Sequence, residues 1–113
     1  MIEVNVIECN YWWGKSYQII TKDGKAVVDL QFNNEYDDGF ISCLTVSEDI
    51  RRKGVGTELV KFVEQLTKDK GRDYAGLYVD KDRPEMLDWY VRMGYKVQED
   101  YDDEHYYYMR KKL

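Results

Sequence analysis

The segment Arg51-Arg52-Lys53-Gly54-Val55-Gly56-Thr57 carries residue types suited to holding an anion. Two glycines one residue apart let the backbone turn with φ values other residues avoid, so several amide N–H groups converge on one small volume. Basic side chains stand directly before them. Downstream, Leu59, Phe62, Val63 and Leu66 fall at i, i+3, i+4 and i+7, the spacing of a helix with one buried face. A helix therefore starts at the turn, and its dipole and unpaired first-turn N–H groups add to the pull on a phosphate. Thr57 stands in that opening turn, where its hydroxyl is a further donor. Phosphate binding on the amides of this turn is the expected chemistry.

A Gly-x-Gly before a helix is also the pattern of a plain capping turn, and the context decides between the two. The apolar run Phe40–Val46 reads as a strand, giving the order strand, loop, glycine turn, helix. The turn lacks the longer glycine spacing and Lys-Ser/Thr pair of a nucleotide-binding P-loop. It also lacks the three glycines of a dinucleotide fold.

The flanking elements follow from periodicity. Gly71 is a C-cap candidate, and Ala75–Val79 reads as a buried strand that would form a right-handed crossover with Phe40–Val46. Asp82 and Glu85 have capping-box spacing, with Pro84 in the first turn of a second helix. Met86, Leu87, Tyr90 and Val91 supply its inner face and Gly94 ends it. Tyr95–Gln98 and His105–Met109 form a last hairpin around an acidic loop. Upstream, Ile2–Cys9 is a strand and Asn10–Lys15 a turn holding Trp12 and Trp13. Ser16–Thr21 and Lys25–Phe32 pair across the tight turn Lys22-Asp23-Gly24. Four strands thus precede the glycine turn.

The chain has 113 residues, enough for one domain with a single core. With no long apolar stretch and no charged-then-apolar leader, the expected setting is cytoplasmic, away from membranes. Cys9 and Cys43 lack metal-ligand spacing and are expected to be reduced core thiols, with no bound metal. A net charge of −5 argues against a nucleic-acid partner. The acid is uneven: Glu99, Asp100, Asp102, Asp103 and Glu104 crowd one loop, and Glu35, Asp37 and Asp38 another. Either these are solvated loops, or an anion binds at the basic turn and a cation elsewhere.

The residues Arg51 to Gly56 match the acyl-coenzyme A loop Gln/Arg-x-x-Gly-x-Gly/Ala. Trp89-Tyr90-Val91-Arg92-Met93-Gly94-Tyr95 matches a second signature, an aromatic-Tyr pair, three residues, then Gly and an aromatic. On these two motifs the chain resembles the GNAT family of N-acetyltransferases, from Phe40 to Leu113. The resemblance implies an α/β (α+β) fold with a mixed, mostly antiparallel sheet, two main helices and a reduced N-terminal region. It implies acetyl-coenzyme A as cosubstrate and a primary amine as acceptor. It further implies that two parallel strands splay apart and that Leu44, Thr45 and Val46 contact the pantetheine arm through main-chain groups. Arg51, Arg52, Lys53, Gly54, Val55, Gly56 and Thr57 would hold the diphosphate.

By the same resemblance Tyr90 donates the proton to the leaving thiolate; an amphipathic tyrosine packed on its helix is the plain alternative. Arg83 falls where many relatives carry a cofactor-touching Asn, and it could reach a phosphate instead. No residue stands out as the general base: Asp29, Glu35, an acid of the 99–104 loop and His105 are all candidates. With no Ser-His-Asp set, direct transfer is favoured over a covalent acyl-enzyme.

The chain departs from the family pattern in its N-terminal third. Two helices usually separate the first two strands and help wall the acceptor site; here about six residues are available. An open acceptor side suits a macromolecular acceptor such as a protein lysine, or a homodimer that closes it. Trp12 and Trp13 either cover this surface or pack in the core. The acidic hairpin suggests a positively charged amine: lysine, a polyamine or an aminoglycoside-like compound. Two other readings stay open, a non-catalytic coenzyme A-binding module and a phage-type protein-interaction module.

Overall fold

The computed structural model describes residues 2–101 and 103–113. Four strands come first: β1 Val4–Tyr11, β2 Gly14–Thr21, β3 Ala26–Asn33 and β4 Asp38–Val46. Helix α1 Val55–Asp69, strand β5 Tyr74–Asp80, helix α2 Pro84–Arg92 and strands β6 Lys96–Val97 and β7 Tyr106–Lys112 follow. They form one seven-stranded sheet in the order β1-β2-β3-β4-β5-β7-β6, antiparallel throughout except between β4 and β5.

Alternation along the strands decides which face is dry. Tyr17, Ile19, Val28, Leu30 and Phe32 are buried on one face of β2 and β3, and Leu59, Val60 and Val63 of α1 join the same core. Gly39 sets how close α1 can come, because a Cβ there would stand 2.6 Å from the Cγ2 of buried Thr67. Both helices end alike. Gly71 (φ 84°) and Gly94 (φ 100°) follow the C-caps Lys70 and Met93. The next amides, of Arg72 and Tyr95, donate back to the carbonyls of Thr67 (3.1 Å) and Tyr90 (3.0 Å).

Several expectations are corrected. Helix α2 starts without a capping box: its N-cap is Arg83, which makes no side-chain cap, and the Asp82 amide donates to Asp80 Oδ1 at 2.8 Å. On α2, Val91 is 52% exposed, and Trp89 and Met93 pack against the core instead. The first turn is only Trp12 and Trp13, so β1 reaches Tyr11. Cys9 and Cys43 are exposed free thiols rather than core residues. Cys9 lies on an edge strand with no helix over it; Cys43 is the extra residue of a bulge, with φ 56°, where β3 and β4 shift register. Among the described residues, no helix is long and apolar enough to cross a membrane.

Candidate active site

Strands β4 and β5 pair only at Asp38–Tyr74, Gly39–Ala75 and Phe40–Gly76. Beyond Phe40 they have no partners in each other, and a gap opens between the C-terminal half of β4 and Leu77–Asp80 of β5. The Ser47 amide donates to the Lys25 carbonyl of the β2–β3 connection at 2.8 Å. Main-chain groups alternate along a strand, so those of Thr45 point to Val27 in β3, and those of Leu44 and Val46 face the gap. The Val46 carbonyl accepts the Nε–H of Arg51 at 3.0 Å, which folds the basic loop back over the strand end.

That loop delivers the start of α1. Positive φ values occur at Arg52 (66°) and Gly54 (81°), not at Gly56. Gly56 sits where elements meet: a Cβ there would stand 3.4 Å from the Trp89 ring and 3.8 Å from Val46 Cγ2, ordinary contact distances that would admit a small side chain. The first glycine therefore serves the turn, and the second marks where the start of α1 comes against Trp89 of α2 and Val46 of β4. Gly54 is the N-cap and no side chain caps the helix, so the amides of Val55, Gly56 and Thr57 keep the unmet donor capacity of a helix start. Arg52 and Lys53 are exposed and form no ion pair among the described residues, whereas Arg51 stands 4.0 Å from Glu48. Arg83 is turned to Glu85, to which its Nε–H donates at 2.5 Å, rather than to any group of this cradle.

Tyr90 projects from α2 into the core and is 6% exposed. Its ring meets Trp89 at 4.9 Å and Tyr95 edge-on at 5.6 Å. Burial pushes its phenol up to about 12, so it stays protonated at neutral pH. Tyr95 behind it is fixed by donating to Glu64 Oε2 at 2.7 Å, and Lys111 donates to the same carboxylate at 3.2 Å.

The face opposite the helices is bare. A trough of about 870 Å³ crosses it, bounded by Trp12 and Trp13 of the first turn, by Glu35–Asp37, and by Tyr101. Its floor is Phe40, Tyr78 and Tyr108, with ring centroids 5.5 Å apart for Phe40–Tyr78 and 5.1 Å for Tyr78–Tyr108. At one edge Arg110 clasps Asp38 through two contacts of 2.8 and 2.7 Å, and Tyr108 donates to Asp38 at 2.6 Å. Of the candidate bases, Glu35 borders this trough and Asp103 a smaller hollow sharing Tyr78 and Tyr101. Asp29 lies on the bare face by alternation, and His105 is exposed beside Tyr106; neither borders the trough. Asp102 lies outside the described residues. Trp89 enters the sequence reading only as the aromatic of the second motif, and Phe40, Tyr78, Tyr108 and Arg110 carry no site role there. Tyr106, Tyr108 and Arg110 recur at every second residue, a strand alternation that puts them on one face.

A mixed α/β sheet that parts beside an uncapped helix start, with a buried tyrosine on the second helix, is the plan of the acyltransferases that the sequence resembles. The sequence profile of the acetyltransferase (GNAT) family matches residues 6–95, and the chain belongs to that family. Solved structures share its fold. A Bacillus subtilis acetyltransferase in complex with coenzyme A superposes with a TM-score of 0.77 at 16% identity, over 100% of this chain and 99% of that one. A GNAT acetyltransferase from Elizabethkingia anophelis with acetyl-coenzyme A bound gives 0.74 at 12% identity, over 98% and 99%. The PaiA N-acetyltransferase of Thermoplasma acidophilum, in complex with coenzyme A, gives 0.73 at 20% identity over 87% of this chain, which spans only 60% of that protein. No curated protein matches the sequence.

Proposed function

We propose that residues 1–113 form a single cytoplasmic acetyltransferase domain that moves an acetyl group from acetyl-coenzyme A directly to a primary amine. The observation that carries this reading is the uncapped start of α1 at the mouth of the β4–β5 gap. Amides from Arg52 to Thr57, with Arg52 and Lys53 beside them, would hold the diphosphate. Main-chain groups of Leu44 and Val46 would line the pantetheine arm in the gap, with the Thr45 side chain alongside. Bound acetyl-coenzyme A supplies an activated acetyl group as a thioester. Tyr90 Oη, kept protonated by burial, donates its proton to the departing sulfur. The amine loses its proton to water or to a carboxylate of the bare face. Arg83 would serve the phosphates only by leaving Glu85.

The test is melting with and without acetyl-coenzyme A, followed by mass spectrometry of amines incubated with both. Cosubstrate at a hundred times its dissociation constant should add about 2.7 kcal/mol of stability. Gly54→Val puts a β-branched residue at φ 81° and should remove most of that shift, with a cost to the fold of about 1–2 kcal/mol. A wild-type protein that neither shifts nor acetylates any amine would exclude the reading.

A further inference from the structure

The trough on the bare face shares no lining residue with the basic turn or the start of α1. We propose that it binds a linear alkyl diamine or polyamine. One ammonium group is held by Glu35 and Asp37, the alkyl chain lies on Phe40, Tyr78 and Tyr108, and a second amino group reaches the gap between β4 and β5. This rests on the acyl-transfer reading, since the gap is what gives the second amine a reaction partner.

Charge is the first reason. The trough borders three carboxylates, Glu35, Asp37 and Asp38, and one cation, Arg110. Arg110 is spent on Asp38, which also accepts the Tyr108 hydroxyl. Glu35 and Asp37 take part in no ion pair among the described residues, so the trough presents two uncompensated negative charges. Their loop is tied down: the Asn34 amide donates to the Trp13 carbonyl at 2.8 Å, the Glu35 amide to Asn33 Oδ1 at 2.8 Å, and the Arg72 guanidinium to the Tyr36 carbonyl.

The floor supplies the second reason. Phe40 and Tyr78 meet at 65°, Tyr78 and Tyr108 at 53°, and Tyr101 and Tyr108 at 68°, so rings offer faces in several directions. Tilted aromatic faces suit methylenes next to an ammonium group, by apolar contact and by cation–π attraction. About 870 Å³ is far more than one amino group fills, and a longer molecule is needed to touch both floor and loop. Position is the third reason. Phe40 is both the floor residue and the last residue of β4 paired with β5, so the trough runs up to the point where the gap begins.

In the reaction the free amine nitrogen forms a bond to the acetyl carbon and the carbon–sulfur bond breaks. The thiol gains one proton and the amine nitrogen loses one, and the ammonium at Glu35 and Asp37 is untouched.

The test is titration calorimetry at low salt with 1,4-diaminobutane and with n-butylamine, on the whole protein and on the double variant Glu35→Gln/Asp37→Asn. Both substitutions are at exposed positions and preserve shape. The diamine should bind at least about tenfold more tightly than the monoamine, an advantage that the double variant and 0.5 M salt both erase. With acetyl-coenzyme A present, the variant should raise the KM for the diamine while the acetyl-coenzyme A melting shift persists. Equal affinity for the two amines, a diamine affinity indifferent to the double variant, or a lysine peptide acetylated at lower KM than the diamine would each overturn the proposal. If the melting shift is present and the diamine fails, the amine class is wrong and acyl transfer stands. If the diamine binds and the shift is absent, acyl transfer falls and the amine site remains.

Discussion

The two faces of the sheet are both rich in tyrosine, and they use it in opposite ways. On the covered face Tyr90 and Tyr95 are buried under the helices, and the ligand-holding groups beside them are main-chain amides at the start of α1. On the bare face Tyr78 and Tyr106 are exposed, and everything that could hold a ligand is a side chain. Amides placed by a turn need the right residues only in one short stretch. The trough draws on residues far apart in sequence, such as Asp38 and Arg110, 72 positions apart. One face should therefore tolerate side-chain changes that ruin the other.

Tyr90→Phe is the strongest probe of that division. Removing the proton donor should lower kcat by about 10²–10⁴-fold, the usual contribution of a positioned acid. The acetyl-coenzyme A melting shift and the calorimetric affinity for 1,4-diaminobutane should both be unchanged. A fall in amine affinity would show that the faces are not independent, and an unchanged kcat would remove Tyr90 from the chemistry.

Gly76→Ala probes the other face. A Cβ at this position would sit 2.0 Å from Tyr108 Oη and 2.7 Å from its Cζ, so the ring must swing away from Asp38. Overpacking and the lost hydrogen bond together should cost about 1–3 kcal/mol in denaturant unfolding. Diamine affinity should fall with it. Cosubstrate binding should not.

The same contrast explains what could be read in the sequence. The order of strands, the helix beginning at Gly54 and the glycine ends of both helices were all legible, because each depends on neighbours within a few residues. The two-glycine turn was legible, but not the division of labour within it. Gly56 faces Trp89, more than thirty positions on, and the second positive φ falls on Arg52, a residue type that gives no warning. Asp82 and Glu85 had capping spacing, yet the Asp82 amide is drawn to Asp80 and Glu85 to Arg83. Asp37 and Asp38 read as one acidic run. Only the fold separates Asp38, neutralised by Arg110, from its exposed neighbour.

Alkaline pH distinguishes the two faces with the smallest expected effects. Burial holds the Tyr90 phenol at about 12, above its ordinary value of 10.0, and Tyr108 is also raised, by burial and then by its bond to Asp38. A raised phenol destabilises the fold only where the unfolded chain can ionise and the folded one cannot. Stability is therefore intact below about pH 10 and declines as pH rises toward the folded value. Tyr90 alone should account for about 1 kcal/mol of loss at pH 11, which Tyr90→Phe should restore in urea titrations run at pH 7 and pH 11. At pH 7 that variant should be within about 0.5 kcal/mol of wild type, because among the described residues Tyr90 Oη makes no hydrogen bond to be lost. Tyr108→Phe should already cost about 1 kcal/mol at pH 7, because it strips a donor from the Asp38 carboxylate. Equal losses at neutral pH would mean that Tyr90 Oη is itself hydrogen-bonded in solution, and its role as a free proton donor would have to be abandoned.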